Sequence, residues 1–210
     1  MQQLKDLFIR RIYRRIYFFI RWLFFEKPFG LDFHSRDLSV RCQSGGRNSG
    51  YVSCPKSFLK DIFSRLSIDS QSSFLDVGCG KGFVLVCAAK MPFGKIEGID
   101  IVSEFVEVAQ KNLSILHLDD RIRVTVGDAT LFDRYGEFDH IFLYNPFPAE
   151  IMSGFIHRLL ESLDKSPRGL TVIYANPVCH SLFMEVGRFE IIHEVPNFLT
   201  QHKAYIYTVR

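Results

Sequence analysis

The 210-residue sequence predicts an α/β domain: a mostly parallel sheet with helices on both faces, preceded by an amphipathic helix at the N-terminus. Two observations carry this. From Ser73 onward, short apolar runs alternate with amphipathic segments of helical period, the pattern of a parallel sheet with helical crossovers. Before that, residues 1–25 contain neither Gly nor Pro and read as one continuous helix.

The front helix concentrates the charge. Residues 1–25 hold six basic side chains and one acid, +5, whereas the other 185 residues hold 20 basic and 22 acidic ones, −2. At 100° per residue, Arg10, Arg11, Arg14, Arg15 and Arg21 fall within a sector of roughly 140°. Phe8, Ile9, Ile12, Ile16, Phe19, Ile20 and Leu23 cover the opposite side, with Phe18, Trp22 and Phe25 intruding on the basic one. A signal peptide needs an uninterrupted apolar stretch and a small-residue cleavage site; arginines interrupt this one, and Trp22-Leu23-Phe24-Phe25 is bulky. Spanning a membrane would bury those arginines at high cost. The pattern suits a helix in the interface of an anionic membrane, hence a cytoplasmic protein peripheral at the inner membrane face. Packing on the domain or on a second copy as a homodimer is the alternative. Nucleic acid is disfavoured, because no basic-aromatic array continues beyond the helix.

Pro28 and Gly30 end this helix, so residues 1–27 form the first unit. Residues 28–54 form an irregular linker or lid around Ser44-Gly45-Gly46-Arg47-Asn48-Ser49-Gly50, and 55–210 the main domain. In the domain, helices are expected over 55–66, 82–90, 103–113, 148–163 and 178–186. Strands are expected over 73–77, 95–100, 121–126, 138–144, 169–175, 189–195 and 204–209. The connection between the last two is too short for a helical crossover, so they pair antiparallel. Five cysteines with no C-x-x-C pair argue against a disulfide framework or a zinc site, and for a reducing compartment. No metal site is expected.

Three strands end in an acid. The first runs through Phe74-Leu75-Asp76-Val77 into Gly78-Cys79-Gly80-Lys81-Gly82. Glycines at alternate positions allow a sharp turn and bring bare peptide groups to a ligand. The spacing is neither the G-x-G-x-x-G of dinucleotide sites nor a P-loop, which needs Gly-Lys followed by Ser or Thr. The second strand ends at Asp100, where a carboxylate can accept both hydroxyls of a ribose. The third leads into Gly127-Asp128-Ala129, where Asp128 can accept from an adenine amino group.

From about Pro55 to Arg210 the order and spacing of these strands resemble the class I S-adenosylmethionine-dependent methyltransferases. That resemblance implies a Rossmann-like seven-stranded sheet whose last strand is inserted antiparallel. It implies S-adenosyl-L-methionine as cofactor, lying over Gly78, Gly80 and Gly82. Asp76 would hold its methionine end, Asp100 its ribose, and Asp128 with Ala129 its adenine.

The fourth strand runs into Tyr144-Asn145-Pro146-Phe147-Pro148, at the sheet edge where open α/β folds bind ligands. Asn145, Pro146 and Phe147 are the catalytic candidates: an amide oxygen and nearby carbonyls can align an attacking amine, and the ring can shape the pocket. The segment resembles the Asn-Pro-Pro-Tyr/Phe motif of enzymes methylating planar nitrogens, with Phe147 in the second proline position. Tyr51, His34 and Asn176 are candidates for contacting the acceptor, with Arg47 and His180 nearby. The Gly50-Tyr51 segment followed by the Pro55 helix loosely resembles lysine methyltransferases acting on the globular face of histone H3, and their bacterial relatives. The methyl acceptor is therefore open. A membrane-held lipid-linked sugar or phospholipid, a protein lysine, and a module that binds cofactor without turnover are the alternatives.

Overall fold

The computed structural model describes residues 12–13, 16–33, 53–197 and 202–210. Seven strands form one sheet: β1 (Ser73–Val77), β2 (Lys95–Asp100), β3 (Ile122–Val126), β4 (His140–Tyr144), β5 (Thr171–Ala175), β6 (Phe189–Pro196) and β7 (Lys203–Val209). Their order is β3-β2-β1-β4-β5-β7-β6. The first five pair parallel, and β7 inserts antiparallel between β5 and β6. The chain reverses its sheet order after β3, and a cleft forms at the carboxyl ends of the strands beside that switch point.

Side-chain alternation divides the core into two layers. Phe74, Ile96, Phe142, Ile173 and Ile206 face α1 (Lys56–Phe63), α2 (Phe83–Ala88) and α3 (Ser103–Ile115). Leu75, Ile141, Leu143, Val172 and Tyr207 face α4 (Ala149–Lys165) and α5 (His180–Glu185). Phe74 is fully buried and meets Phe63, Phe93 and Phe142 at ring-centroid distances of 5.9, 5.0 and 6.2 Å; one such burial contributes about 1.5–3 kcal/mol.

Element bounds differ from expectation where apolar side chains are buried outside the ladder. Phe138 and Leu170 belong to the core, but β4 and β5 start at His140 and Thr171. Phe138 follows a 3-10 turn, Tyr135–Glu137, that sets the chain's approach to the sheet. The helices α1, α2 and α5 are shorter than their periodicity suggested, whereas α3 and α4 run to Ile115 and Lys165.

The front segment requires a correction. It is not one α-helix to Phe25: α-helical residues 16–21 pass into a π turn, Trp22–Glu26, and a 3-10 turn, Lys27–Phe29, closed by Gly30 at φ +71°. Arg21, expected with the other arginines on an outward basic face, is buried against the domain. An α-helix sets residues five apart roughly 140° apart around its axis; the wider π turn brings Arg21 Nε within 2.6 Å of Glu26 Oε1. Arg21 Nη2 also donates to Phe33 O at 3.2 Å and Ser53 Oγ at 2.9 Å, and its guanidinium lies 4.2 Å from the centroid of the Phe83 ring. Of the expected linker or lid, residues 28–33 and 53–54 are described, and both ends are fixed to the domain. Asn112 clasps Asp32, accepting from its N–H at 2.9 Å and donating to its carbonyl at 2.9 Å, while Lys81 Nζ pairs with the Asp32 carboxylate at 2.8 Å. Among the described residues no helix is long and apolar enough to cross a membrane.

Candidate functional site

The cleft begins with the backbone after β1. Gly78, Gly80 and Gly82 all have positive φ, at 78°, 51° and 83°. At Gly78 a side chain is excluded twice, because a Cβ there would stand 2.6 Å from the Cβ of Pro146. The first turn after β1 and the segment after β4 thus touch through bare backbone. The N–H groups of Gly78 and Cys79 both donate to Ile99 O, at 2.8 and 3.0 Å, which ties this turn to the end of β2.

Asp100 completes that tie. Its Oδ2 accepts from Gly80 N at 2.8 Å, and its Oδ1 from Val102 N at 2.9 Å. Burial raises its pKa, and the N–H groups of Val102, Gly80 and Ile101 oppose the rise. Asp76 is buried on the same face of β1 as Phe74, and its Oδ2 has no hydrogen-bond partner. Its carboxyl is pushed well above the usual range, by burial first and then by the charge of Asp100. A buried carboxylate with a free oxygen is costly unless a donor arrives. An ammonium group supplies the donor and the compensating charge together. Asp128 is half-buried; its Oδ1 accepts from Thr130 N at 2.9 Å and Thr130 Oγ1 at 2.7 Å. The next residue, Ala129, is buried, and its carbonyl accepts from the Tyr135 hydroxyl at 2.8 Å.

These groups line one cleft, which encloses about 860 Å³ when the open solvent at its mouth is counted. Among the described residues its lining carries Asp76, Asp100 and Asp128 but no Lys, Arg or His. That electrostatic balance favours a cationic ligand over a pyrophosphate. Apolar walls come from Ile99, Ile101, Phe105 and Ile151. The residues fit S-adenosylmethionine: an ammonium for Asp76, ribose hydroxyls for Asp100, and an apolar slot beside Asp128 for adenine.

The expected site residues therefore separate. Asp76, Gly78, Gly80, Asp100, Asp128, Ala129, Pro146 and Phe147 line the cleft. Gly82 does not; it caps α2 and sits under Ala109, whose Cβ would be 3.2 Å from a Cβ on it. Asn145 lies beside the cleft, with φ +42° and Oδ1 accepting from the Tyr174 hydroxyl at 3.3 Å. It lines an adjoining depression together with Phe147, Pro148, Val178 and Leu182. Phe147 is shared by both cavities. Asn176 lines neither: it follows β5 at φ +50° and donates its N–H to Lys203 O. His180 is occupied within the fold, its Nδ1 2.8 Å from the Tyr207 hydroxyl and its ring centroid 4.4 Å from that of Tyr205. His34, Arg47 and Tyr51 lie outside the described residues. Sequence reasoning missed Ser53, Cys54, Phe83 and Phe105, which line the cleft. Phe83 and Phe105 sit at helical spacing and read as ordinary core, and nothing in the sequence marks Ser53-Cys54. The thiols of Cys54 and Cys79 are raised mainly by burial, so they are poor nucleophiles. Among the described residues no cluster of His, Cys, Asp or Glu is arranged to hold a metal.

A methyltransferase-domain family model matches residues 68–203. The tRNA1(Val) (adenine(37)-N6)-methyltransferase of Vibrio parahaemolyticus is 34% identical over 79 residues, 37% of this chain and 33% of that protein. The ribosomal protein L11 methyltransferase of Pelobacter propionicus is 31% identical over 64 residues, 30% of this chain and 21% of that one. The chain thus spans about a third or less of the length of these curated relatives. The crystal structure of an RNA methyltransferase from Salinibacter ruber, in complex with S-adenosyl-L-homocysteine, superposes with a TM-score of 0.58 at 21% identity, covering 75% of this chain and 94% of that one. A ribosomal protein L11 methylase from Lactobacillus delbrueckii superposes at 0.60 with 19% identity, covering 79% and 82%. At such identities the superpositions show the fold.

Proposed function

We propose that this chain, a member of the methyltransferase-domain family, is an S-adenosylmethionine-dependent enzyme whose residues divide the work as follows. Asp76 receives the cofactor's ammonium, Asp100 its ribose, and Asp128 with Ala129 its adenine, over the turn made by Gly78 and Gly80. The observation that carries this is the buried, unpartnered Oδ2 of Asp76. S-adenosylmethionine supplies an electrophilic methyl group, so the protein need only exclude water and align the acceptor. Tyr144, Pro146 and Phe147 close the acceptor side of the cleft. Asn145 aligns an acceptor entering through the adjoining depression, whose wall Phe147 shares.

The acceptor reading we favour is membrane-held: a lipid-linked sugar or a phospholipid amine, methylated at the inner face of the cytoplasmic membrane. The support is the outward apolar face of the front helix, which is joined to the cleft wall through Arg21. A second reading, an adenine amine in RNA, is favoured by the likeness to the tRNA adenine methyltransferase and by Asn145-Pro146-Phe147. The net charge of −2 over residues 26–210 weighs against a polyanion. Labelled methyl transfer into cell extract, fractionated into lipid, polysaccharide, RNA and protein, tests the reading. Label in the lipid or polysaccharide fraction is expected. Label confined to RNA or to protein lysines overturns the acceptor, and tight cofactor binding with no label in any fraction points to a non-catalytic module.

A further inference from the structure

The front helix is docked the opposite way round from an ordinary surface helix. Ile12, Ile16, Phe19 and Ile20 are spaced i, i+4, i+7 and i+8, on one helical face, and all four are exposed. Beyond the π turn, Phe24, Phe25 and Phe29 extend the apolar surface at 61, 66 and 63% exposure. Scattered apolar residues on a protein surface are ordinary, but a contiguous run of large ones marks an interaction site. The two buried residues of the described segment 16–29 are polar instead, the ion pair of Arg21 and Glu26.

Charge selects the occupant. The sequence from Leu7 to Phe25 carries five arginines and no acid. With Arg21 taken up by Glu26, a second copy laid against this helix would still bring Arg10, Arg11, Arg14 and Arg15 of both chains together with no acid between Leu7 and Phe25 to pair them. An anionic bilayer offers acyl chains to the apolar face and headgroup phosphates to the arginines. Trp22 is half-buried, lies tilted against Phe19 with centroids 5.9 Å apart, and carries Lys27 Nζ 5.2 Å from its centroid. An aromatic ring with a cation beside it is the usual furniture of a membrane–water interface.

We propose that the outward face of residues 12–13 and 16–29 is a docking surface for an anionic lipid bilayer, and that Arg21 fixes the cofactor cleft relative to it. Arg21 bonds Ser53 and stacks on Phe83, and both of these line the cleft. One side chain therefore joins the lipid-facing helix to the cofactor wall, so the cleft's mouth keeps one orientation to the membrane. The surface stands whether the methyl acceptor is a lipid or an RNA.

Sedimentation of the intact chain with vesicles tests this. One set is phosphatidylcholine, and in the other part of it is replaced by phosphatidylglycerol. Binding to the anionic set, weakened by added salt, is expected. The Ile16→Glu, Phe19→Glu double variant should lose partitioning by roughly tenfold or more. Its affinity for S-adenosylhomocysteine, measured by calorimetry, should be unchanged, which separates loss of docking from loss of fold or of the cofactor site. Arg10, Arg11, Arg14 and Arg15, all changed to Gln, should abolish the preference for anionic vesicles. No binding to anionic vesicles, or equal binding to both sets, overturns the proposal. So does a dimer that the Ile16→Glu, Phe19→Glu variant disperses while the wild-type chain ignores vesicles.

Discussion

Replacing Asp76 by Asn keeps the side-chain shape and removes the charge, and the structure gives opposite signs for its two consequences. In the unfolded chain the carboxyl ionises near 3.8, and in the folded protein burial and the neighbouring Asp100 raise it. A raised folded value means that the group's stabilising contribution is complete below pH 3.8 and is lost as pH climbs through the folded value. Above the unfolded value, neutral pH included, the unpartnered carboxyl therefore destabilises the ligand-free protein relative to acid, whether it stays ionised or takes up a proton on folding. Asp76→Asn should relieve a cost of about 1–3 kcal/mol, raising the melting temperature by roughly 2–4 °C for each kcal/mol. The gain should fade in acid, where wild type is protonated as well. Cofactor binding moves the other way: losing a charge-assisted hydrogen bond costs about 1.5–3 kcal/mol, or roughly 10- to 150-fold in affinity. Thermal melts with and without S-adenosylhomocysteine, alongside calorimetry, read both effects. A variant that binds the ligand as tightly as wild type, or that melts lower without it, refutes the assignment of Asp76.

Gly78→Ala sets a Cβ 2.6 Å from that of Pro146 at φ +78°; left-handed strain and overpacking together should cost about 2–5 kcal/mol, read by thermal melting. Arg21→Met leaves Glu26 buried without its ion pair, a loss worth about 3–5 kcal/mol where the structure cannot yield. The front segment can instead come away, so limited proteolysis should cut near residues 16–33 while the core melts almost as before; adding Glu26→Leu should restore resistance. Asn145→Gly accommodates φ +42° while deleting the amide, so S-adenosylhomocysteine affinity should hold and kcat fall by at least roughly tenfold; full turnover would remove Asn145 from the acceptor side.

The sheet was legible because its signal is periodic. Apolar runs ending in Asp76, Asp100 and the turn before Asp128 have no reading as helices, and the short link between the last two runs forces antiparallel pairing. The cofactor cleft was legible where chemistry demands one residue type: an acid at a strand end, and glycine where β1 turns beneath Pro146. It was hidden where the requirement is only shape, since Phe83 and Phe105 on the cleft wall look like core and Ser53 looks like loop. The front helix misled for a different reason. Projecting residues at 100° each assumes α-helical winding, and the π turn from Trp22 to Glu26 breaks that assumption where Arg21 turns inward. The partner that draws it in, Glu26, lies one residue beyond the run in which the periodicity was read.

The account rests on a buried carboxylate that a cationic ligand completes, and a crystal structure of the chain with S-adenosylhomocysteine tests that most directly. The ligand's ammonium should lie about 3 Å from Asp76 Oδ2, with its ribose hydroxyls on Asp100 and its adenine beside Asp128. A ligand bound in reverse, or one that leaves Asp76 Oδ2 without a donor, would contradict it.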